Sequence, residues 1–321
     1  MHKVAILGAD IFEDRREQAQ FAAAAVEADY YSCRDPLELA DRLTDIDGLL
    51  VNLEHVTAPL LAALPRLRVI GRYGVGVDNI DLQAATERGV AVIHVPDYCV
   101  DEVAEHAVSL IMAANRKLFL SVQLTRGGVW GKVKDLKPIR PIRDITLGVV
   151  GTGRIGMKVI EWMARFGAKI VVYDPYVRQD QLPEGVAKAE FGEVLERSDL
   201  ISIHCPLTVE TRHLFNKDSF AAMRRQPALI NVSRGSIVCE RDLLDALDSG
   251  SVSFAAMDVM ETEPPNPDHP LLHHPRAAVT NHVAWYSVQA EHKLRDLLVA
   301  RVADYLHGRP VETIVNAAGL Q

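Results

Sequence analysis

The stretch Ile145-Thr146-Leu147-Gly148-Val149-Val150-Gly151-Thr152-Gly153-Arg154-Ile155-Gly156 decides the fold. A β-branched apolar run ends in glycines spaced G-x-G-x-x-G, and a helical pattern through Phe166 follows at once. In a strand–turn–helix unit each glycine has a reason: Gly151 permits the tight turn, Gly153 lets a pyrophosphate approach the backbone, and Gly156 allows helix and strand to pack closely. Arg154 and Ile155 fall at the helix start, where N–H groups and the positive dipole end attract an anion. Eighteen residues beyond Gly156, at the end of the next apolar run, Asp174 is placed to accept the hydroxyl protons of an adenosine ribose and to repel a 2′-phosphate. The unit predicts a dinucleotide site that takes NAD in preference to NADP.

Outward from this unit, strands are expected on its C-terminal side at 170–173, 200–204, 229–232 and 255–259, and on its N-terminal side at 4–7, 49–51, 69–70 and 90–95. Helical patterns lie between them, with Asp35-Pro36 opening one and Gly48 following another. This is the rhythm of parallel sheets with helices on both faces, repeated in two α/β domains. An apolar stripe from Asp101 to about Thr125 (Val103, Ala107, Leu110, Ile111, Ala114) reads as a helix long enough to bridge them, and a final helix is expected at 288–307. The loop from Gly127 to Arg143, rich in basic residues, prolines and glycines, is unsuited to a core.

A length of 321 residues also predicts two domains. The formal net charge of −8 has the wrong sign for a surface that grips nucleic acid or anionic lipid as a whole. No window reaches the apolar length of a membrane span, and the opening Met1-His2-Lys3-Val4-Ala5-Ile6-Leu7-Gly8 reads as a first strand, not a secretion signal. Cys33, Cys99, Cys205 and Cys239 are scattered without a C-x-x-C pair, which fits reduced thiols and a cytoplasmic protein. His269, His273 and His274 invite a metal reading, but Pro267, Pro270 and Pro275 argue against a shared helix face, and no metal is expected.

Three polar residues stand at the ends of later strands, where open α/β sheets place their ligands: Arg234 in Asn231-Val232-Ser233-Arg234-Gly235, Glu263 in Glu261-Thr262-Glu263-Pro264, and His282 in Asn281-His282-Val283. Taken singly, they read equally well as a surface arginine, a loop acid and one of twelve histidines.

Taken together with Arg72-Tyr73-Gly74-Val75-Gly76-Val77-Asp78-Asn79-Ile80-Asp81 and His204-Cys205-Pro206-Leu207-Thr208, in this order and spacing, they make the chain resemble the D-isomer-specific 2-hydroxyacid dehydrogenases over nearly its whole length. The tail Ala284-Trp285-Tyr286-Ser287 and the basic insert before Asp144 look most like the C-terminal-binding-protein-like branch. The resemblance implies two doubly wound domains: a discontinuous flavodoxin-like substrate domain (1–100 and 288–321) and a Rossmann domain (101–287), with the active site in the cleft between them. It implies reversible hydride transfer between NAD(H) and a small 2-keto or D-2-hydroxy acid, glyoxylate or hydroxypyruvate being favoured.

In that reading His282 is the general acid and base, Glu263 favours its charged form, and Arg234 holds the substrate carboxylate and carbonyl. Backbone groups of Gly74 and Val75 would also hold the carboxylate, with Asn52, Tyr73 and Trp285 shaping the pocket. Asp258 would accept from the nicotinamide carboxamide, and His204, Pro206, Thr211 and the backbone of Val232 would line the cofactor cleft. Asn281 stands where the family usually has proline, and Glu105-His106 is also seen in formate dehydrogenases, which carry glutamine at the position of Glu263. Relatives use the basic insert to contact a second subunit, so a homodimer is expected. The competing readings are an NAD-sensing corepressor-like protein and a phosphoglycerate- or phosphonate-type dehydrogenase. The chain's end soon after His307 predicts no regulatory domain.

Overall fold

A computed structural model describes residues 1–7, 14–33, 35–131 and 133–320, so Gly8 of the opening strand motif and Lys132 of the basic insert lie outside the described residues. The chain divides into two compact units, one formed by Met1–Cys99 with Ser287–Gln321, the other by Val100–Tyr286.

The smaller unit carries five parallel strands, β1 (His2–Ile6), β2 (Val26–Tyr30), β3 (Gly48–Val51), β4 (Val69–Arg72) and β5 (Ala91–Ile93), in the order β2-β1-β3-β4-β5. This is the flavodoxin-like order. All four residues of β3 and all three of β5 are buried, as strands covered on both faces must be, whereas β2 alternates because only one of its faces is covered. The alternation in Val26-Glu27-Ala28-Asp29-Tyr30, with acids on its outer positions, hides β2 from a search for continuous apolar runs.

The larger unit carries β6 (Thr146–Val150), β7 (Lys169–Tyr173), β8 (Val186–Lys188), β9 (Leu200–Ile203), β10 (Ala228–Asn231), β11 (Phe254–Met257) and β12 (Ala277–Val279), all parallel, in the order β12-β11-β10-β9-β6-β7-β8. Read from β8, this is the Rossmann order with a seventh strand added. The three-residue edges β8 and β12 are too short to register as strands in the sequence. Around the sheet, Val150, Ile201, Ile203, Phe215, Leu229, Leu243 and Met257 share one buried core, each such side chain adding on the order of 1.5–3 kcal/mol over an exposed one.

The expected helix from 101 to 125 is two helices, Val100–Asn115 and Leu118–Arg126, broken at Lys117 in the left-handed region (φ +52°). The predicted stripe holds in the first, where Val103, Ala107, Leu110, Ile111 and Ala114 are buried, while the second buries none of its residues. The prolines near 270 do not exclude a helix: Pro270 takes the first position of a single turn, Pro270–His273, where its missing N–H costs nothing.

Candidate active site

Strand order reverses between β6 and β9, and open α/β sheets bind ligands beyond the carboxyl ends of strands at such a point. The glycine loop follows β6. Gly151 has φ +93°, and a Cβ there would lie 2.5 Å from the backbone nitrogen of Cys205, while a Cβ on Gly156 would lie 2.2 Å from the Gly151 oxygen. The first and third glycines are thus required by close backbone approach, whereas the space beside Gly153 is open, as a pyrophosphate needs. Helix Arg154–Arg165 begins at Gly153 with no side chain capping it, so its N-terminal dipole is left for an anion.

Asp174 follows β7. Its Oδ2 accepts from the Thr152 N–H and hydroxyl (both 2.8 Å) and its Oδ1 from the Tyr176 N–H (2.9 Å). Burial pushes its carboxyl up, but these bonds and the charge of Lys188 outweigh it and hold the group ionised. A fixed negative charge beside an uncapped helix start fits a ribose diol and disfavours a phosphate in its place.

Arg234, Glu263 and His282 all follow strands of the same sheet, β10, β11 and β12. A Cβ on Gly235 would fall 1.9 Å from the carbonyl carbon of Met260, so the arginine loop can lie directly on the glutamate loop only because residue 235 is glycine. Asn231 ties the arginine loop through its Nδ2 to the Arg234 oxygen (2.9 Å), and the Ser233 hydroxyl donates to Ile203 O (2.9 Å). Glu263 Oε1 accepts from the Met260 N–H (2.8 Å), which leaves Oε2 to meet His282 Nδ1 at 2.5 Å. Burial raises the Glu263 carboxyl, yet His282, the Met260 N–H and the charge of Arg234 hold it below the ordinary range. With a carboxylate at Nδ1 that nitrogen carries the proton, and Nε2 has no hydrogen-bond partner among the described residues.

Of the remaining expected residues, His204 follows β9. Its Nε2 pairs with the Ser202 hydroxyl (2.8 Å), its Nδ1 is buried without a partner among the described residues, and burial pushes its pKa down to about 4. Thr211 turns its hydroxyl to Pro206 O (2.6 Å), so those two residues brace one loop, while Val232 is buried just past β10. Asp258, next to β11, is 1% exposed, and Trp285 meets Tyr286 edge to face.

In the smaller unit, Asn52 and Tyr73 stand just past β3 and β4. The Tyr73 ring enters the core at 2% exposure, its hydroxyl 3.4 Å from Glu17; Gly74 (φ +140°) is buried beside it and Val75 is exposed. The metal reading dissolves into separate contacts: His269 with Glu240, His273 with Pro267 O and His274 with Asp248. Thr152, Asn231 and Gly235 are supporting residues that motif reading passed over, although the glycine directly after Arg234 was a signal of close packing.

Residues 108–284 match the D-isomer specific 2-hydroxyacid dehydrogenase family over its NAD binding domain. A glyoxylate reductase of Thermofilum pendens is 36% identical over 290 residues, spanning 87% of this chain and 84% of that protein. The chain belongs to the D-isomer-specific 2-hydroxyacid dehydrogenase family. Its larger unit is therefore an NAD-binding domain, in agreement with the glycine loop and Asp174. Among other members, a D-3-phosphoglycerate dehydrogenase of Methanocaldococcus jannaschii is 36% identical over 287 residues, which are 87% of this chain and 53% of that protein. This dehydrogenase-family chain thus spans about half the length of the D-3-phosphoglycerate dehydrogenases it matches. The solved structure of Aquifex aeolicus D-lactate dehydrogenase with NAD and lactic acid superposes with a TM-score of 0.85 at 27% identity, covering 95% of this chain and 96% of that one.

Proposed function

We propose that this protein transfers a hydride between NAD(H) and a small 2-keto or D-2-hydroxy acid, with glyoxylate- or hydroxypyruvate-like substrates favoured, as a cytoplasmic homodimer. The observation that carries the reading is the His282 Nδ1–Glu263 Oε2 contact of 2.5 Å beside Arg234. NADH, when bound on the glycine loop and Asp174, supplies the hydride. Reducing a ketone also needs a proton at oxygen, and His282 would deliver one from Nε2 while Glu263 accepts from Nδ1–H and keeps the ring in place. Arg234 presents a planar fork that binds the substrate carboxylate and polarises the carbonyl. After transfer the neutral imidazole is the base for the reverse reaction.

Support for the substrate class comes from the glyoxylate reductase relative, matched over most of its length. For the dimer it comes from helix Leu118–Arg126, which buries nothing, and from Trp130, 84% exposed; a sedimentation mass of one chain would remove that part. The central test is NADH and NADPH consumption with a panel of glyoxylate, hydroxypyruvate, pyruvate and the 2-keto form of 3-phosphoglycerate. Wild type is expected to turn over at least one small 2-keto acid with NADH, and His282→Ala to lower kcat by about two to four orders of magnitude. No consumption above the His282→Ala control across the panel would overturn the reading and leave NAD sensing in its place.

A further inference from the structure

We propose that Glu261, held in a reciprocal clasp with Glu240, is the positioning residue of Glu263 in the proposed reaction. Helix Glu240–Ser249 starts beside the glutamate loop, and its N-cap residue, Cys239, offers no side-chain cap. The Glu240 N–H at that start is met from outside the helix. It donates to Glu261 Oε1 (2.7 Å), and the Glu261 N–H donates back to Glu240 Oε1 (2.6 Å). Each residue satisfies the other's backbone, as the two ends of a capping box do, but from segments 21 positions apart.

A histidine braces each carboxylate at its other oxygen. Glu261 Oε2 lies 3.1 Å from His213 Nε2, and Glu240 Oε2 lies 3.2 Å from His269 Nε2. His269 Nδ1 accepts from the Leu271 N–H (3.3 Å), so its Nε2 carries the proton that Glu240 takes. His213, a non-glycine residue at φ +51°, donates its N–H to Ser236 O (2.8 Å), two residues past Arg234. Burial pushes the Glu240 carboxyl up despite the Glu261 N–H, and the charges of Glu261 and Glu263 push the same way, so a neutral amide is a close stand-in for it.

The clasp acts on Glu263 through the backbone between them. Two adjacent N–H groups are taken by two carboxylates, that of Met260 by Glu263 Oε1 (2.8 Å) and that of Glu261 by Glu240. The peptide joining Met260 to Glu261 is the one that Gly235 lies against, since a Cβ there would fall 1.9 Å from the Met260 carbonyl carbon and 2.4 Å from the Glu261 nitrogen. Holding this peptide fixes the point from which Glu263 folds back, and with it the place of Oε2 against His282 Nδ1. General acid catalysis depends on the ring direction that this contact sets. The arginine loop keeps its own ties through Asn231 and Ser233, so substrate binding is spared.

The inference rests on Glu263 and His282 as the acid–base pair of the proposed reaction, and its test lets the two fail separately. Glu261→Ala, Glu240→Ala, Glu240→Gln, Glu263→Gln and the double variant Glu261→Ala/Glu263→Gln are compared with wild type. The readouts are kcat and KM for whichever 2-keto acid of the panel wild type reduces, and amide hydrogen exchange at Met260 in cofactor-free protein. Glu261→Ala is expected to lower kcat about tenfold with KM within about threefold, and to quicken Met260 exchange about tenfold. Glu240→Ala should move the same way, and Glu240→Gln should stay near wild type because it keeps an oxygen for the Glu261 N–H. The double variant should be within about threefold of Glu263→Gln, since a residue that acts through Glu263 has little left to act on.

Losses that multiply in the double variant, to about a hundredfold, would overturn the proposal, because Glu261 would then act on something other than Glu263. Unchanged Met260 exchange in Glu261→Ala would overturn it too, as would a Glu240→Gln variant as slow as Glu240→Ala. Should Glu261→Ala not fold, Glu240→Ala takes its place in the same cycle with Glu263→Gln, and the same outcomes decide. A wild-type protein without turnover would defeat the proposed reaction, while Met260 exchange would still decide whether Glu261 holds Glu263 in place.

Discussion

Two carboxylates meet nitrogen partners at nearly the same distance and end in opposite roles. In the larger unit Glu263 lies 2.5 Å from His282, both side chains partly open to solvent. In the smaller unit Glu17 takes a bidentate grip from Arg295, 2.6 Å from Nε and 2.7 Å from Nη2, and neither is more than 1% exposed. Tyr30 donates to Glu17 at 2.5 Å, Tyr73 stands 3.4 Å away, and Asp14 and Glu291 also accept from the guanidinium. Both carboxyls are pushed up by burial and pulled below the ordinary range by their partners. Distance and charge therefore do not separate them. Access does: a pair that solvent reaches can exchange a proton with a substrate, whereas a sealed one can only hold helices Arg16–Ala23 and Val288–Leu306 to each other and to the end of β4.

The largest expected effect falls on the sealed pair. Glu17→Ala leaves a buried guanidinium short of its main partner and should cost about 3–5 kcal/mol of unfolding free energy. The double variant Glu17→Leu/Arg295→Met, which removes both charges and keeps the volume apolar, should be less destabilised than Glu17→Ala in urea titrations. Equal losses would show that the network adds packing and little electrostatics. On the open pair the effect moves from stability to rate. Glu263→Gln keeps a hydrogen-bond acceptor at His282 and removes the charge, a difference of about 1–2 kcal/mol between charged and neutral bonds, so kcat for keto-acid reduction should fall about tenfold with Tm little changed. A Tm drop as large as that of Glu17→Ala would erase the distinction between the two sites.

The same contrast explains what could be read from the chain. Arg234 and Glu263 follow apolar runs long enough to read as strands, and a parallel sheet must bring strand ends to one edge, whereas His282 follows the short β12 and stands out only in company with the other motifs. The glycine loop is legible for a similar reason, since its spacing answers a local steric need. Glu17 and Arg295 lie 278 positions apart on two amphipathic helices, and neither periodicity nor a motif pairs them. Tyr73 was misleading in the same way: its position past β4 placed it near a substrate loop, while its side chain belongs to the Glu17 network. The break at Lys117 was hidden because the apolar stripe continues in sequence after the backbone has turned. Local rules mark strand ends and turns, and long-range charge pairing leaves no trace in spacing.

His204 supplies the third case, a titratable group that is buried without a counter-charge. Among the described residues its Nε2 pairs with a hydroxyl, that of Ser202, and with no charge, so burial is unopposed and its pKa is pushed down to about 4. Glu17, at 0% exposure, stays ionised because Arg295 comes with it. For the histidine the sign of the pH effect follows directly. Above the ordinary histidine pKa of 6.5 both folded and unfolded chains hold a neutral ring, and no pH dependence arises from it. As pH falls from 6.5 towards 4 the unfolded chain takes up a proton that the folded chain refuses, so stability declines across that window. His204→Gln keeps a polar group near Ser202 and cannot titrate. Its Tm should fall less steeply than that of wild type between those two pH values, while the acid losses from Glu17 and Glu263, whose carboxyls are held below their ordinary value, remain in both proteins. Parallel Tm curves for the two proteins across the window would mean that the His204 ring is hydrated or paired in the folded state, and that burial alone does not neutralise it.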